Sequence, residues 1–238
     1  HKLPMTLSEV LCLWQFIGNR SSSKTIMELF NNLIDPADTF TYGSDIKALL
    51  HTYQKKGVRW LLTLNELGVG GILADDMGLG KTIQVIALIQ VLNEQNKLKR
   101  PVLIVLPKTL IFNWAMELAR FSPKLNVMDY SGRTRSKLKD NIKKMDVILI
   151  SYHTLRSDIT YFKSLSFSYV ILDEGQSIKN SQSQLSKSLR KLNAEHRLVI
   201  SGTPVENHLG ELWSIFSFIN PDYLGSLDAF ESMYKRPI

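Results

Sequence analysis

The sequence predicts an α/β domain over residues 46–238, a mostly parallel sheet flanked by helices, preceded by a short, partly helical N-terminal extension over residues 1–45. Three observations carry this reading. Short β-rich runs, apolar at successive positions, recur along the chain, which suits strands buried on both faces as in parallel sheets. Longer segments with apolar residues at helical spacing separate them, as βαβ units require. Proline and small polar residues mark the joints.

Residues 1–45 carry apolar patches (Leu11, Leu13, Trp14, Phe16, Ile17) interrupted by Ser21-Ser22-Ser23 and Asp35-Pro36-Ala37-Asp38, the pattern of a preceding domain's tail joined by a linker. The expected strands are Gly71–Ala74, Val102–Leu106, Val147–Ile150, Tyr169–Leu172 and Leu198–Ile200. The expected helices are Thr82–Asn93, Leu110–Phe121, Ser181–Leu192 and Glu206–Ile219. Thr109 is placed to cap the second helix and Asn180 or Ser181 the third, because their side-chain oxygens can accept from orphan amides. Pro221 stops the fourth. Trp60, Trp114 and Trp213 lie in apolar helical patterns and read as core.

The composition excludes several classes. No apolar run approaches the roughly 18 residues of a membrane span, and no basic-then-apolar segment opens the chain. The chain begins with His1, which suggests an excised piece. Its lone cysteine, Cys12, forms no internal disulfide, and its five histidines are scattered rather than clustered at metal-ligand spacing. A reducing compartment follows, the cytoplasm of a bacterium or an intracellular location elsewhere. The net charge is +7. Twelve Lys or Arg against three acids fall between Lys97 and Lys144, so this stretch outweighs the surplus of the whole chain. Such a cluster suits a polyanion, and it equally suits a solvated face.

Ala74-Asp75-Asp76-Met77-Gly78-Leu79-Gly80-Lys81-Thr82 follows a predicted strand and opens a predicted helix. Gly78 and Gly80 let backbone amides approach an anion, and the helix start directs its positive end at phosphates. Lys81 supplies charge to β- and γ-phosphates, and the Thr82 hydroxyl suits Mg²⁺. The strict phosphate-loop pattern places glycine where this chain has Asp75.

Tyr169–Leu172 ends in Asp173 and Glu174. Carboxylates at the carboxyl end of a parallel strand face the ligand crevice. Asp173 suits the metal ion shared with Thr82, and Glu174 suits a general base that orients water.

Taken together, these motifs resemble helicase superfamily two and, within it, the SWI/SNF-type ATPases, over about residues 46–238. Leu50 to Leu61 looks like the adenine-reading Q motif, with Gln54 as reader. Gly71 to Gln84 is similar to motif I, in which Asp75 is the family's habit. Pro107-Lys108-Thr109-Leu110, with Asn113-Trp114 and Glu117, looks like motif Ia, and Ser151 to Arg156 like motif Ib. Asp173-Glu174-Gly175-Gln176 is similar to a DEAH box with Gln176 in place of His, a style associated with bacterial members. Ser201-Gly202-Thr203-Pro204, with Asn207 and Glu211-Leu212-Trp213, resembles motif III and its helix.

The resemblance implies a RecA-like P-loop lobe that binds ATP and Mg²⁺ through Gln54, Gly78, Gly80, Lys81, Thr82, Asp173 and Gln176, with Glu174 as base. It implies Ser201 and Thr203 as couplers of nucleotide state to DNA grip. It further implies double-stranded DNA as partner, met through Lys108, Thr109 and Arg156. Arg133, Arg135 and Lys137 of the basic stretch are expected to add phosphate contacts. A second RecA-like lobe of the same polypeptide, with an arginine finger, does not appear; the chain is expected to be a C-terminally truncated first lobe, weak or inactive alone. The whole engine would be a DNA-dependent ATPase that translocates on duplex DNA and remodels protein–DNA complexes. Alternatives are the motor lobe of a strand-separating helicase or of a restriction or repair system, and a non-catalytic nucleotide-binding scaffold, which intact Lys81, Thr82, Asp173 and Glu174 argue against. A small-molecule P-loop kinase leaves the Q motif and Ser201–Pro204 unexplained.

Overall fold

The computed structural model describes residues 50–203 and 209–234. The expected extension over 1–45, Pro204 and Asn207 lie outside the described residues. The elements run α1 (Thr52–Leu67), β1 (Gly71–Leu73), α2 (Lys81–Glu94), β2 (Val102–Leu106), a 3₁₀ turn (Lys108–Leu110), α3 (Ile111–Phe121), β3 (Val127–Asp129), a 3₁₀ segment (Arg135–Lys144) and β4 (Val147–Ser151). Then follow α4 (Tyr152–Ser157), α5 (Ile159–Lys163), β5 (Ser166–Asp173), a 3₁₀ turn (Gly175–Ile178), α6 (Gln184–Arg190), β6 (Asn193–Ile200), α7 (Leu209–Ile219) and α8 (Leu227–Tyr234).

The six strands form one sheet in the order β1-β6-β5-β2-β4-β3, and every pairing is parallel. The expected α/β class with a parallel sheet is what the chain adopts. The edges are the three-residue strands β1 and β3, short enough to offer little free ladder. The β1 edge is also clasped at its start. The Asn220 side chain accepts from Gly70 N–H at 2.8 Å and donates to Gly70 C=O at 3.1 Å.

Alternation along the strands builds a core on each face. Val102, Ile104 and Leu106 of β2 pack with Val85, Ile89 and Trp114 of α2 and α3. Leu103 and Val105 point the other way, toward Leu155, Phe162, Leu189 and Ile215 of α4 to α7. β2, β4 and most of β5 are buried at every position, so their apolar runs are continuous. Parallel register puts Leu73, Ile200 and Asp173 side by side at the carboxyl ends of β1, β6 and β5, with Leu106 beside Ser151 on β2 and β4. Among the described residues, no helix is long and apolar enough to cross a membrane.

Several local expectations need correction. Thr109 does not cap α3. It sits inside the 3₁₀ turn, and the position before α3 is Leu110, which offers no side-chain acceptor. The cap of α6 is Ser183, whose hydroxyl accepts from Ser186 N–H at 3.1 Å. Asn180 instead accepts from Gln182 N–H at 3.0 Å in the turn before it, as short polar side chains do in Asx turns. Strand β3, helices α4, α5 and α8 and the 3₁₀ segment have no counterpart among the expected elements, and α1 only the helical pattern around Trp60. Trp114 is buried as expected, whereas Trp60 and Trp213 are only partly covered.

Phe162 is fully buried between Tyr130 (edge-on, 5.1 Å between ring centroids) and Phe167 (stacked, 6.3 Å). Phe162→Ala should therefore destabilise the fold by about 3–5 kcal/mol in urea titration; a loss below about 1 kcal/mol would mean that this face is not packed as described.

Candidate nucleotide site and basic cavity

The connection from β1 to α2 brings its glycines to left-handed conformations, Gly78 at φ 83° and Gly80 at φ 73°, a region that only glycine enters without strain. A Cβ on Gly80 would also collide with the Gln54 amide. Lys81, the first residue of α2, turns back on its loop: Nζ donates to the carbonyls of Asp75 (2.7 Å) and Asp76 (3.0 Å). Asp75, standing where the strict pattern has glycine, has its carboxylate held by Gln84 Nε2 at 2.8 Å; Gln84 is fully buried. From the other side, Gln54 Nε2 donates to Leu79 C=O at 3.1 Å, and Gln54 Oε1 accepts from His51 N–H at 2.9 Å. The amide of Gln54 thus braces the β1–α2 loop.

Asp173 ends β5 beside this loop and is 8% exposed. Its Oδ2 accepts from the Trp114 indole at 2.8 Å, and its Oδ1 from Glu174 N–H at 2.9 Å. Tyr152 donates to the Asp173 carbonyl at 2.7 Å. Burial, with the Glu174 charge beside it, pushes the Asp173 carboxyl above its ordinary range, while the hydrogen bonds from Trp114 and Glu174 N–H and the charge of Lys81 oppose the shift. Glu174 follows in a left-handed conformation, φ 55° and ψ 59°, which costs a non-glycine residue energy and turns its side chain off the strand. Gln176 Nε2 donates to Glu174 Oε2 at 2.7 Å, and Gln176 Oε1 accepts from the Ser201 hydroxyl at 3.5 Å. Ser201 Oγ in turn accepts from Thr203 N–H at 3.2 Å. A chain of contacts therefore runs from Glu174 to Thr203.

Gly78, Gly80, Lys81, Thr82, Asp173 and Glu174 line one cavity of about 360 Å³, closed on its far side by Asn113, Trp114 and Glu117 of α3. These three share a face of α3 by helical spacing. The sequence places Asn113, Trp114 and Glu117 with the motif Ia resemblance and reads Trp114 as core, without predicting that the three line this cavity. The structure gives the Trp114 N–H a buried carboxylate as acceptor, and the spacing of Asn113 and Glu117 was the available signal. Burial, with Asp173 nearby, pushes the Glu117 carboxyl up, against the pull of Arg120.

A second cavity, of about 460 Å³, opens at the carboxyl ends of β2 and β4. Lys108, Arg133 and Arg135 line it together with Ser151, His153 and Thr154. Thr109, Lys137 and Arg156 are exposed and do not line it. Arg135 is committed elsewhere. Its Nε and Nη2 donate to the Asp158 carboxylate at 2.7 and 3.4 Å, and its Nη1 donates to Gly132 C=O at 3.2 Å. The basic stretch does not form one patch. Lys97 and Arg100 pair with Glu66 and Glu195, and Lys99, Arg100 and Lys143 border a groove at the amino ends of the strands, the opposite end of the sheet.

The SNF2-related domain model matches residues 53–238, and the chain belongs to that family. It is 45% identical over 195 residues to the putative ATP-dependent helicase/translocase YwqA of Bacillus subtilis, covering 81% of this chain and 21% of that protein. It is 37% identical over 237 residues to the TATA-binding protein-associated factor mot1 of Schizosaccharomyces pombe, covering 93% of this chain and 12% of that one. The fold matches the Sulfolobus solfataricus SWI2/SNF2 ATPase core solved in complex with dsDNA, with a TM-score of 0.73 and 38% identity, over 82% of this chain and 40% of that chain. The chain thus spans only a small part of the curated relatives it matches, 21% of the first and 12% of the second.

Arg135 holds the Asp158 carboxyl below its ordinary range, with Tyr130 assisting and burial opposing. Burial, then Asp158, pushes the Tyr130 hydroxyl up to about 12, so it remains a donor at neutral pH. A carboxyl with a depressed folded value stabilises the fold above its unfolded value, about 4, and that contribution disappears as pH falls through the folded value. Thermal stability below about pH 4 should therefore fall more steeply in the unaltered chain than in Asp158→Asn. Parallel acid profiles would remove Asp158 from the acid response.

Proposed function

We propose that this chain is the ATP-binding lobe of a DNA-dependent ATPase that translocates on double-stranded DNA and remodels protein–DNA complexes. The observation that carries the reading is the convergence of Lys81, Thr82, Asp173 and Glu174 on one cavity, although the two pairs lie far apart in the chain. The family's ATP-dependent relatives and the SWI2/SNF2 core solved with dsDNA support it. In this reading the lobe occupies residues 46–238 and residues 1–45 belong to a preceding element. A second lobe supplies an arginine finger across the cavity, and the protein works where duplex DNA is stored, in a bacterial nucleoid or a nucleus.

The donor set fits Mg²⁺: a hydroxyl and a carboxylate at the cavity wall, with phosphate oxygens and water to complete the hard-oxygen coordination that this ion prefers. Thr82 and Asp173 would hold the ion, which neutralises charge on the β- and γ-phosphates. The loop amides and Lys81 hold the phosphates once Nζ exchanges the Asp75 and Asp76 carbonyls for phosphate oxygens. Gln54 contributes on the adenine side. Glu174 orients a water and takes its proton as that water's oxygen bonds to the γ-phosphorus and the bond to the β-bridging oxygen breaks. Gln176, Ser201 and Thr203 relay the position of Glu174 to the DNA-facing side. Lys108, Thr109, Arg133, Lys137 and Arg156 are the proposed DNA contacts, made to phosphates and therefore blind to sequence.

Two tests follow. Lys81→Ala should abolish measurable ATP·Mg²⁺ binding in calorimetry, and equal affinity would refute the cradle. Glu174→Gln in the complete two-lobed protein should leave ATP binding intact while kcat falls by about 10²-fold or more, the usual share of a general base. Turnover near the unaltered level would remove Glu174 from that role.

A further inference from the structure

Tyr130 and Arg135 bracket the exposed loop that forms one wall of the basic cavity, and both reach the same carboxylate. Tyr130, fully buried at the end of β3, donates its hydroxyl to Asp158 Oδ2 at 3.2 Å. Arg135 Nε donates to the same oxygen at 2.7 Å, forming an ion pair whose side chains are 31% and 17% exposed. The third arm of the guanidinium reaches Gly132 C=O, and Gly132 itself sits at φ 80°, a tight turn open to glycine. The loop is therefore tied at both ends and at its tip to the junction between α4 and α5. Its outward side chain is Arg133, which with Lys108 is exposed, lines the cavity and has no ion-pair partner among the described residues.

We propose that Asp158 and Arg135 are positioning residues: their ion pair holds the 131–134 loop so that Arg133, and not Arg135, meets a phosphate of duplex DNA. The inference rests on the reading of double-stranded DNA as partner. The physical reason is geometric. A guanidinium that spends its Nε and one terminal nitrogen on a carboxylate and its other terminal nitrogen on a carbonyl has three of its five N–H donors and one bidentate edge committed. A flexible loop that arrives already ordered loses less entropy on binding than one ordered by the ligand. Simple electrostatics makes the opposite forecast for Asp158, since removing an anion beside a phosphate-binding cavity would strengthen binding.

The test is fluorescence anisotropy of a labelled duplex titrated with the chain at several salt concentrations. Arg133→Ala should make the slope of log affinity against log salt shallower by about 0.9, the loss of one phosphate contact. Arg135→Ala should weaken binding several-fold with the slope unchanged. Asp158→Ala should weaken it similarly despite deleting a negative charge, and the double variant should be no weaker than Arg135→Ala alone, because both changes break one device. If Asp158→Ala fails to fold, Asp158→Asn, which keeps one acceptor oxygen, replaces it with the same expectation. A shallower slope in Arg135→Ala, together with tighter binding by the Asp158 variant, would overturn the brace and make Arg135 a phosphate contact. Failure of the unaltered chain to bind duplex with any salt dependence would instead overturn the duplex reading, and the brace with it as a DNA-positioning device.

Discussion

The Asp173 carboxylate is the constraint on which the site depends. It stands at the carboxyl end of a strand buried along nearly its whole length, where an unpartnered charge would be costly. Two donors meet it, the indole of Trp114 and the amide of Glu174. Each donor fixes something else. The indole docks α3 against β5 and brings Asn113 and Glu117 to the cavity. The amide hydrogen bond accompanies the left-handed turn at Glu174, which aims that side chain toward Gln176 and Ser201. One carboxylate thereby orients the cavity's far wall and the start of the relay.

The loop from β1 to α2 is braced in the same way. Gln54 holds its late carbonyl at Leu79, and Gln84 holds Asp75 at its beginning, so α1 and α2 brace both ends of a loop that contains the left-handed Gly78 and closes on the left-handed Gly80. Asp75, which departs from the strict glycine pattern, is a tether of the loop. Lys81 rests on two carbonyls of the same loop, so its ammonium is satisfied within the loop.

Much of this was legible in the sequence because it depends on periodicity and local motif. Five strands appear as apolar runs, since a parallel sheet covered on both faces demands them. Strand β3 does not, because three residues at an edge, one of them exposed, leave too short a pattern. That the glycine loop and the acid pair meet at one cavity follows the order in which the sequence presents them. The roles of Trp114 and Asp158 were not, because each depends on a partner far away in sequence: Trp114 is 59 residues from Asp173, and Asp158 is 23 from Arg135. The basic run misled for the same reason. Charges close in sequence pass from one end of the sheet to the other as the chain traverses β2, α3, β3 and the 3₁₀ segment, so the cluster on paper becomes a groove and a cavity at opposite ends.

The central claim is that the cavity between the phosphate loop and the Asp173 turn is where ATP·Mg²⁺ sits. Amide hydrogen exchange with and without ATP·Mg²⁺ tests it most directly, because it reads location as well as binding. The predicted result is slowed exchange confined to residues 76–82 and 173–176, with the amino-end groove around Lys99 and Lys143 unchanged. Protection at that groove, or none at the loop under saturating nucleotide, would contradict the account.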